Sequence, residues 1–318
     1  MPNSYLHTSI IARQVYGESP VAKDSWLNYA YALLTIAGAD GEVAHAEFAW
    51  LTSEFLAIIE APTEFKEKIK EFDYKNASLS KLIGKIKFNA SINYKRALLY
   101  DAIKMANADD QYSTDERQAV KKASELLEIP IYVARTIEGL VNTERSLQYM
   151  RKSIFQVDDS AKSIETNASL KAILGITAVT DEIQQEYGEA LMIIAGADGV
   201  VSEGEKKWYL EEFVPTAQTP PDIVEKVLNF DFRRASLKDY LEKLSAYKHI
   251  DFRRTLVYNG IKMAKADGDY AKEEQDAIMQ SGKLLQVSEN MISTMEYLIN
   301  TEENIEKMRK TLFFDKKG

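Results

Sequence analysis

The chain has no cysteine among its 318 residues. That absence removes disulfides, thiolate metal sites and cysteine nucleophiles together, and nothing in the chemistry calls for an oxidising compartment. Histidine is scarce: His7, His45 and His249 are the only three, and none belongs to a Ser or Cys nucleophile signature. Basic charge is in deficit. With 40 Lys and Arg against 49 Asp and Glu, the net charge is -9 and the pI about 5.2. Such a chain lacks the positive field that holds phosphate backbones, so nucleic acid is not an expected partner. Apolar runs of about 18 residues are missing, and the start of the chain has neither a basic opening nor an apolar stretch; a soluble, cytoplasmic protein is the expectation. Strand signals are lacking too.

What is present is apolar residue in helical rhythm: 45% of the chain is hydrophobic, enough for a core, and the length suits about two domains. "YALLTIAGADGEVAHAEFAW" from Tyr31 returns 158 residues on as "EALMIIAGADGVVSEGEKKW" from Glu189. The offset persists without gaps. "FDYKNASL" pairs with "FDFRRASL", "RALLYDAIKMANAD" with "RTLVYNGIKMAKAD", and "VNTERSLQYMRKSIF" with "INTEENIEKMRKTLF". Two equivalent domains follow, 22–155 and 180–313, with 156–179 a linker running into a docking helix. Leu98, Leu99, Ala102, Ile103 and Ala106 recur at three and four, as a helix requires. Pro62, Pro130 and Pro220–Pro221 fall at helix starts, with Thr63, Ser113, Ser202 and Ser288 as N-caps. The fold class is all-α, about seven helices per domain.

Each domain also repeats one motif. Asp40, Asp109, Asp198 and Asp267 each follow Ala, and each is followed seven residues on by Glu47, Glu116, Glu205 and Glu274. Gly41, Gly199 and Gly268 sit just past a helix, where a left-handed residue is needed; Asp110 replaces the glycine in the second motif. "STDE" and "SEGE" read as capping boxes, Ser at N-cap and Glu at N3. In "AHAE" and "AKEE" the cap is Ala44 or Ala271, yet Glu47 and Glu274 remain, which reciprocal capping explains less well. The Asp is harder to place. In the last turn of a helix it faces the negative end of the macrodipole, at a cost of about 0.3–1 kcal/mol. Free carbonyls there, the Asp and the next helix's Glu resemble part of a Ca²⁺ or Mg²⁺ shell; a plain turn remains the alternative.

"DGEVAHAE" matches the second half of an EF-hand loop, but Ile36 and Gly38, Met105 and Asn107, Ile194 and Gly196, and Met263 and Lys265 occupy the first two ligand positions. No corner is a complete EF-hand. A site therefore requires two corners of one domain, pooling Asp40, Glu47, Asp109 and Glu116, and likewise Asp198, Glu205, Asp267 and Glu274. Without a cation those carboxylates repel or raise their pKa values. Glu42, Asp110, Asp115, Glu203, Asp269 and Glu273 are either further ligands or solvated charge, the second being the expectation.

At these residues the sequence resembles the TerB-like family, in which A-D-G-x-apolar-[S/A]-x-x-E occurs twice per domain. The resemblance implies a compact seven-helix domain whose two motifs meet across a pseudo-twofold axis to form an acidic surface suspected of binding calcium or another divalent cation. It further implies no established enzymatic activity, and roles in tellurite and other chemical stress, defence, and membrane-associated complexes. The implied cofactor is a divalent cation, Ca²⁺ or Mg²⁺, and the implied partners are proteins, with peripheral membrane association as a further expectation. Asp110, Ala44 and Ala271 depart from the family pattern. The rival reading is a metal-free helical scaffold whose acidic corners dock basic segments.

Glu42-x-x-His45 forms half a di-iron motif but straddles a turn and has Glu203 where a repeat would need histidine. Basic residues gather in "SLSKLIGKIKF" and "FRRASLKDYLEKLSAYKHIDFRR"; Arg233, Arg234, Arg253 and Arg254 are either a solvated face or a contact for anionic lipid or an acidic partner. Trp50 and Trp208, three residues past a motif Glu, are core candidates.

Overall fold

A computed structural model of the chain describes residues 5–6, 21–87, 93–108, 112–155, 180–245 and 252–314. The expected linker at 156–179, together with Asp109, Asp110, His7 and His249, lies outside them. Helices fill both repeats. In the first they are α1 (Lys23–Ala37), α2 (His45–Ala49), α3 (Thr63–Lys70), α4 (Leu79–Ile83), α5 (Tyr94–Ala106), α6 (Thr114–Leu126) and α7 (Ile131–Phe155). In the second they are α8 (Asp181–Ala195), α9 (Glu203–Trp208), α10 (Pro221–Leu228), α11 (Leu237–Ser245), α12 (Arg253–Ala264), α13 (Lys272–Leu284) and α14 (Glu289–Phe313). α2 and α9 run on through π-helical turns, Trp50–Phe55 and Tyr209–Phe213. Extended structure is slight: Tyr5–Leu6 pairs antiparallel with Val21–Ala22, a short ladder that the sequence did not signal.

The chain divides into two units, one made of Met1–Arg145 with Glu303–Gly318, the other of Ser146–Glu302. In unit 1 the hub is α1, which packs on α3, α4, α5 and α6. Its sequence explains this: Trp26, Tyr29, Ala30, Leu33, Leu34, Ile36 and Ala37 are all buried, so the helix is apolar around most of its girth and must be surrounded. In unit 2 the hub is α8, which packs on α10, α11, α12 and α13. Stacked rings fill the space beside each hub: Tyr29 on Phe55 at 5.5 Å, and Tyr187 on Phe213 at 5.4 Å. Trp50 is buried and Trp208 half-buried, each near the phenylalanine that ends its π turn.

Helix ends follow local chemistry. Ser113 and Ser202 are N-caps, their hydroxyls accepting from Glu116 and Glu205 N–H at 3.2 Å each. Ser288 accepts from Met291 N–H at 3.3 Å, also as expected. Thr63 is not a cap. Pro62 occupies that position, and Thr63 opens the helix, because the extended conformation of the proline already ends the preceding turn.

Candidate carboxylate site at the helix corners

The first motif of each repeat begins where the hub helix tightens. α1 ends at Ala37 and continues as the 3₁₀ turn Gly38–Asp40; α8 ends at Ala195 and continues as Gly196–Asp198. The Asp therefore stands one turn beyond the α-helix rather than in its last turn. Gly41 and Gly199 then take positive φ, 110° and 103°. The Asp has a local partner that offsets the unfavourable dipole: Asp40 Oδ1 accepts from Glu42 N–H at 3.1 Å, Asp198 Oδ1 from Val200 N–H at 2.9 Å, and Asp267 Oδ1 from Asp269 N–H at 2.9 Å. This is an Asx turn, the device by which Asp holds the backbone two residues on.

The Glu residues point the other way, into the protein. Glu47 is 1% exposed, Glu116 4%, Glu205 1% and Glu274 4%, whereas Asp40, Asp198 and Asp267 are exposed. All four Glu side chains turn back on the helix start: the N–H groups of Ala44, Ser113, Ser202 and Ala271 donate to Oε2 of Glu47, Glu116, Glu205 and Glu274 at 2.7, 2.6, 2.6 and 2.7 Å. That corrects the expectation that capping explains only two of them. Alanine has no oxygen to return the bond, yet its own backbone donor still needs an acceptor, so half of the capping box survives at Ala44 and Ala271.

In unit 2 the two corners meet. A Cβ placed on Gly204 would lie 2.7 Å from that of Asp267, so the first turn of α9 rests directly on the sister corner. α13, which carries Glu274, packs on the turn that carries Asp198. The Glu205 and Glu274 carboxyls are buried neighbours that interact electrostatically. Two buried carboxylates side by side repel, which favours the protonated form. Burial, then the neighbouring Glu205, pushes Glu274 up to about 8, and burial also raises Glu205. The buried Oε1 of Glu205 has no hydrogen-bond partner. In unit 1, α6, the helix that carries Glu116, packs in the same way on the turn that carries Asp40. Asp109 lies outside the described residues.

Four features of the corners escaped the sequence. Gly38 and Gly196 are pinned under rings, a Cβ there lying 2.3 Å from Tyr74 and from Phe232 respectively. Both glycines recur in the repeat, which was the available signal. Gly204 stands where the first repeat has Ala46, a difference that only contact geometry makes meaningful. Arg233 donates from Nε and Nη2 to the Gly199 carbonyl at 3.1 and 3.0 Å, engaging a backbone oxygen next to Asp198. The other arginines scatter: Arg234 pairs with Asp231 at 3.3 Å, and Arg254 donates to the Ile154 carbonyl at 2.6 Å. Glu42, Asp115, Glu203, Asp269 and Glu273 are exposed, as solvated charge should be, and so is His45.

The donor set suits a hard cation in kind, being carboxylate and carbonyl oxygen. Its disposition suits one less well: among the described residues no group of three or more His, Asp or Glu is arranged to hold a metal ion, and each motif carboxylate described already serves the backbone.

Residues 26–134 and 189–296 match the family model described as tellurite resistance protein TerB. No curated protein and no solved structure matches the chain.

Proposed function

Because the chain belongs to the TerB family, one copy in each repeat, we propose that it is a non-enzymatic cytoplasmic protein whose paired corners take up a divalent cation, Ca²⁺ ahead of Mg²⁺, and whose loaded acidic face docks a protein partner in a stress-response or defence-related complex. The observation that carries this reading is the buried Oε1 of Glu205, which has no hydrogen-bond partner although Glu205 neighbours a second buried carboxyl, that of Glu274. A buried acceptor of this kind is satisfied either by a proton or by a cation. On this reading Glu205 and Glu274 supply the inner oxygens, Asp198 and Asp267 the rim, and Asp40, Glu47, Asp109 and Glu116 do the same in the first repeat.

Calorimetric titration of Ca²⁺ and Mg²⁺ in two buffers of different ionisation enthalpy tests it. Uptake should release a proton, raise the melting temperature and change tryptophan emission, with dissociation constants of about 10⁻⁵–10⁻³ M, as expected where few carboxylates are unengaged. No heat and no melting shift at millimolar cation would sink it.

The engagement of every described motif carboxylate with the backbone, and of the Gly199 carbonyl with Arg233, favours a second reading: a metal-free scaffold whose exposed Asp rim meets basic segments of a partner. It expects partner binding that ignores chelator and weakens with salt. Asp40→Asn with Asp198→Asn separates the two, since only a cation site loses cation-dependent stabilisation.

A further inference from the structure

The boundary between the units falls inside α7 and again inside α14. Residues 303–318, the end of the second repeat, belong to unit 1, and residues from Ser146 on, the end of the first repeat, belong to unit 2. In unit 1, Arg309 donates from Nε to Glu144 Oε1 at 2.8 Å and from Nη2 to the Tyr100 hydroxyl at 3.1 Å, while Tyr100 donates to Glu144 Oε2 at 2.6 Å. Phe313, one turn further and 1% exposed, meets Tyr100 edge to face at 5.2 Å. The backbone is held too: Asn93 N–H donates to the Phe313 carbonyl at 2.8 Å, and Arg96 Nη1 to the Leu312 carbonyl at 3.0 Å.

Unit 2 repeats the ion pair, the tyrosine bond, the ring contact and the arginine bond to the helix end. Arg151 Nε donates to Glu302 Oε1 at 2.7 Å, Tyr258 donates to Glu302 Oε2 at 2.6 Å, Phe155 meets Tyr258 at 5.2 Å, and Arg254 Nη1 donates to the Ile154 carbonyl. Arg and Phe stand at i and i+4 in both inserted ends, on one helical face. Glu144 is only 10% exposed and Glu302 16%, so in each unit a largely buried carboxylate depends on an arginine from the other repeat. Burial and the adjacent Glu144 hold the Tyr100 hydroxyl protonated far above its ordinary range, so it remains a donor at any working pH.

We infer that each unit carries a docking socket, Arg96–Tyr100–Glu144 in unit 1 and Arg254–Tyr258–Glu302 in unit 2, whose ligand is a helix end bearing Arg and Phe four residues apart, and that a second copy of the chain supplies this helix end as well as the chain's own repeat does. Chemistry and spacing are the same in both sockets and both inserted ends, so nothing in the recognition distinguishes an own end from a foreign one. Connectivity alone favours the own end, because tethering gives it a high effective concentration.

The test uses the full chain with its own end disabled by Arg309→Glu, and a fluorescent peptide of residues 303–318. The peptide should bind at one site per chain, and a peptide of residues 145–160 should compete for the same site. Glu144→Gln in that chain should weaken binding by more than about tenfold, the usual consequence of removing one member of a desolvated ion pair. A peptide carrying Arg309→Glu should not bind. The Phe313→Ala chain, which keeps the ion pair, is measured beside it, with helix content by circular dichroism as the check on folding. Failure of both folded chains to bind the peptide overturns the inference. So does binding that ignores Glu144, or a site that takes one repeat's peptide and rejects the other's; the last would mean that the ends are private to their own sockets.

Discussion

At the scale of single residues, the buried Glu pair sets the pH response. Glu274 is pushed up to about 8 in the fold, above the ordinary carboxylate range. Its retained proton therefore contributes stability that is complete below the ordinary carboxylate range and is lost as pH rises through about 8. The melting temperature of the metal-free protein should fall between pH 6 and 9. Glu274→Gln keeps a donor toward Glu205 and an acceptor for Ala271 N–H, so it should flatten that fall; an unchanged slope in a calorimetric pH series would refute the assignment. Gly196 gives a steric prediction. Because a Cβ there would lie 2.3 Å from the Phe232 ring, Gly196→Ala should destabilise by about 1–3 kcal/mol in denaturant unfolding. Gly204→Ala should act differently: a methyl against Asp267 wedges the corners of unit 2 apart, so Glu205 and Glu274 should titrate separately and closer to ordinary values.

At the scale of elements, the corners are built from capping chemistry, and capping is improvable. Ala44→Ser and Ala271→Ser would restore the missing half of the box, and each should raise stability by about 0.5–2 kcal/mol. Ser113→Ala and Ser202→Ala should lower it by a similar amount, measured in the same unfolding series. These positions also show what was legible in the sequence. The helices, the tandem repeat and the Ser caps could be read from periodicity and spacing, since each is a local property. The burial of the four Glu and the exposure of the Asp could not, because both residue types fit either role and only packing of the sister corner decides between them. The sequence puzzle of a carboxylate after a helix resolves locally: Asp40, Asp198 and Asp267 each gain a backbone N–H two residues on. The recurrence of Glu144 and Arg151 as Glu302 and Arg309 was visible too, but not that Arg151 and Glu144 belong to different units, since repeats reveal equivalence and not assembly.

At the scale of the molecule, each unit is assembled from both repeats. A protease site inserted after Ser160 should cut the chain into two pieces that still elute together, because residues 303–314 complete unit 1 through Arg309, Leu312 and Phe313. Pieces that separate on size exclusion without denaturant would contradict this. Among the described residues no helix is long and apolar enough to cross a membrane, so the long rods α7 and α14 have no such use. Their service is to be shared. A rod of 25 residues whose halves are packed in different units passes on part of any loss, since melting one half strips the adjoining turn of its hydrogen-bond partners and lets it fray. Heat should therefore find one cooperative transition where two repeats of equal length would ordinarily melt as strangers, and damage done to either half should be felt as a softening of the whole.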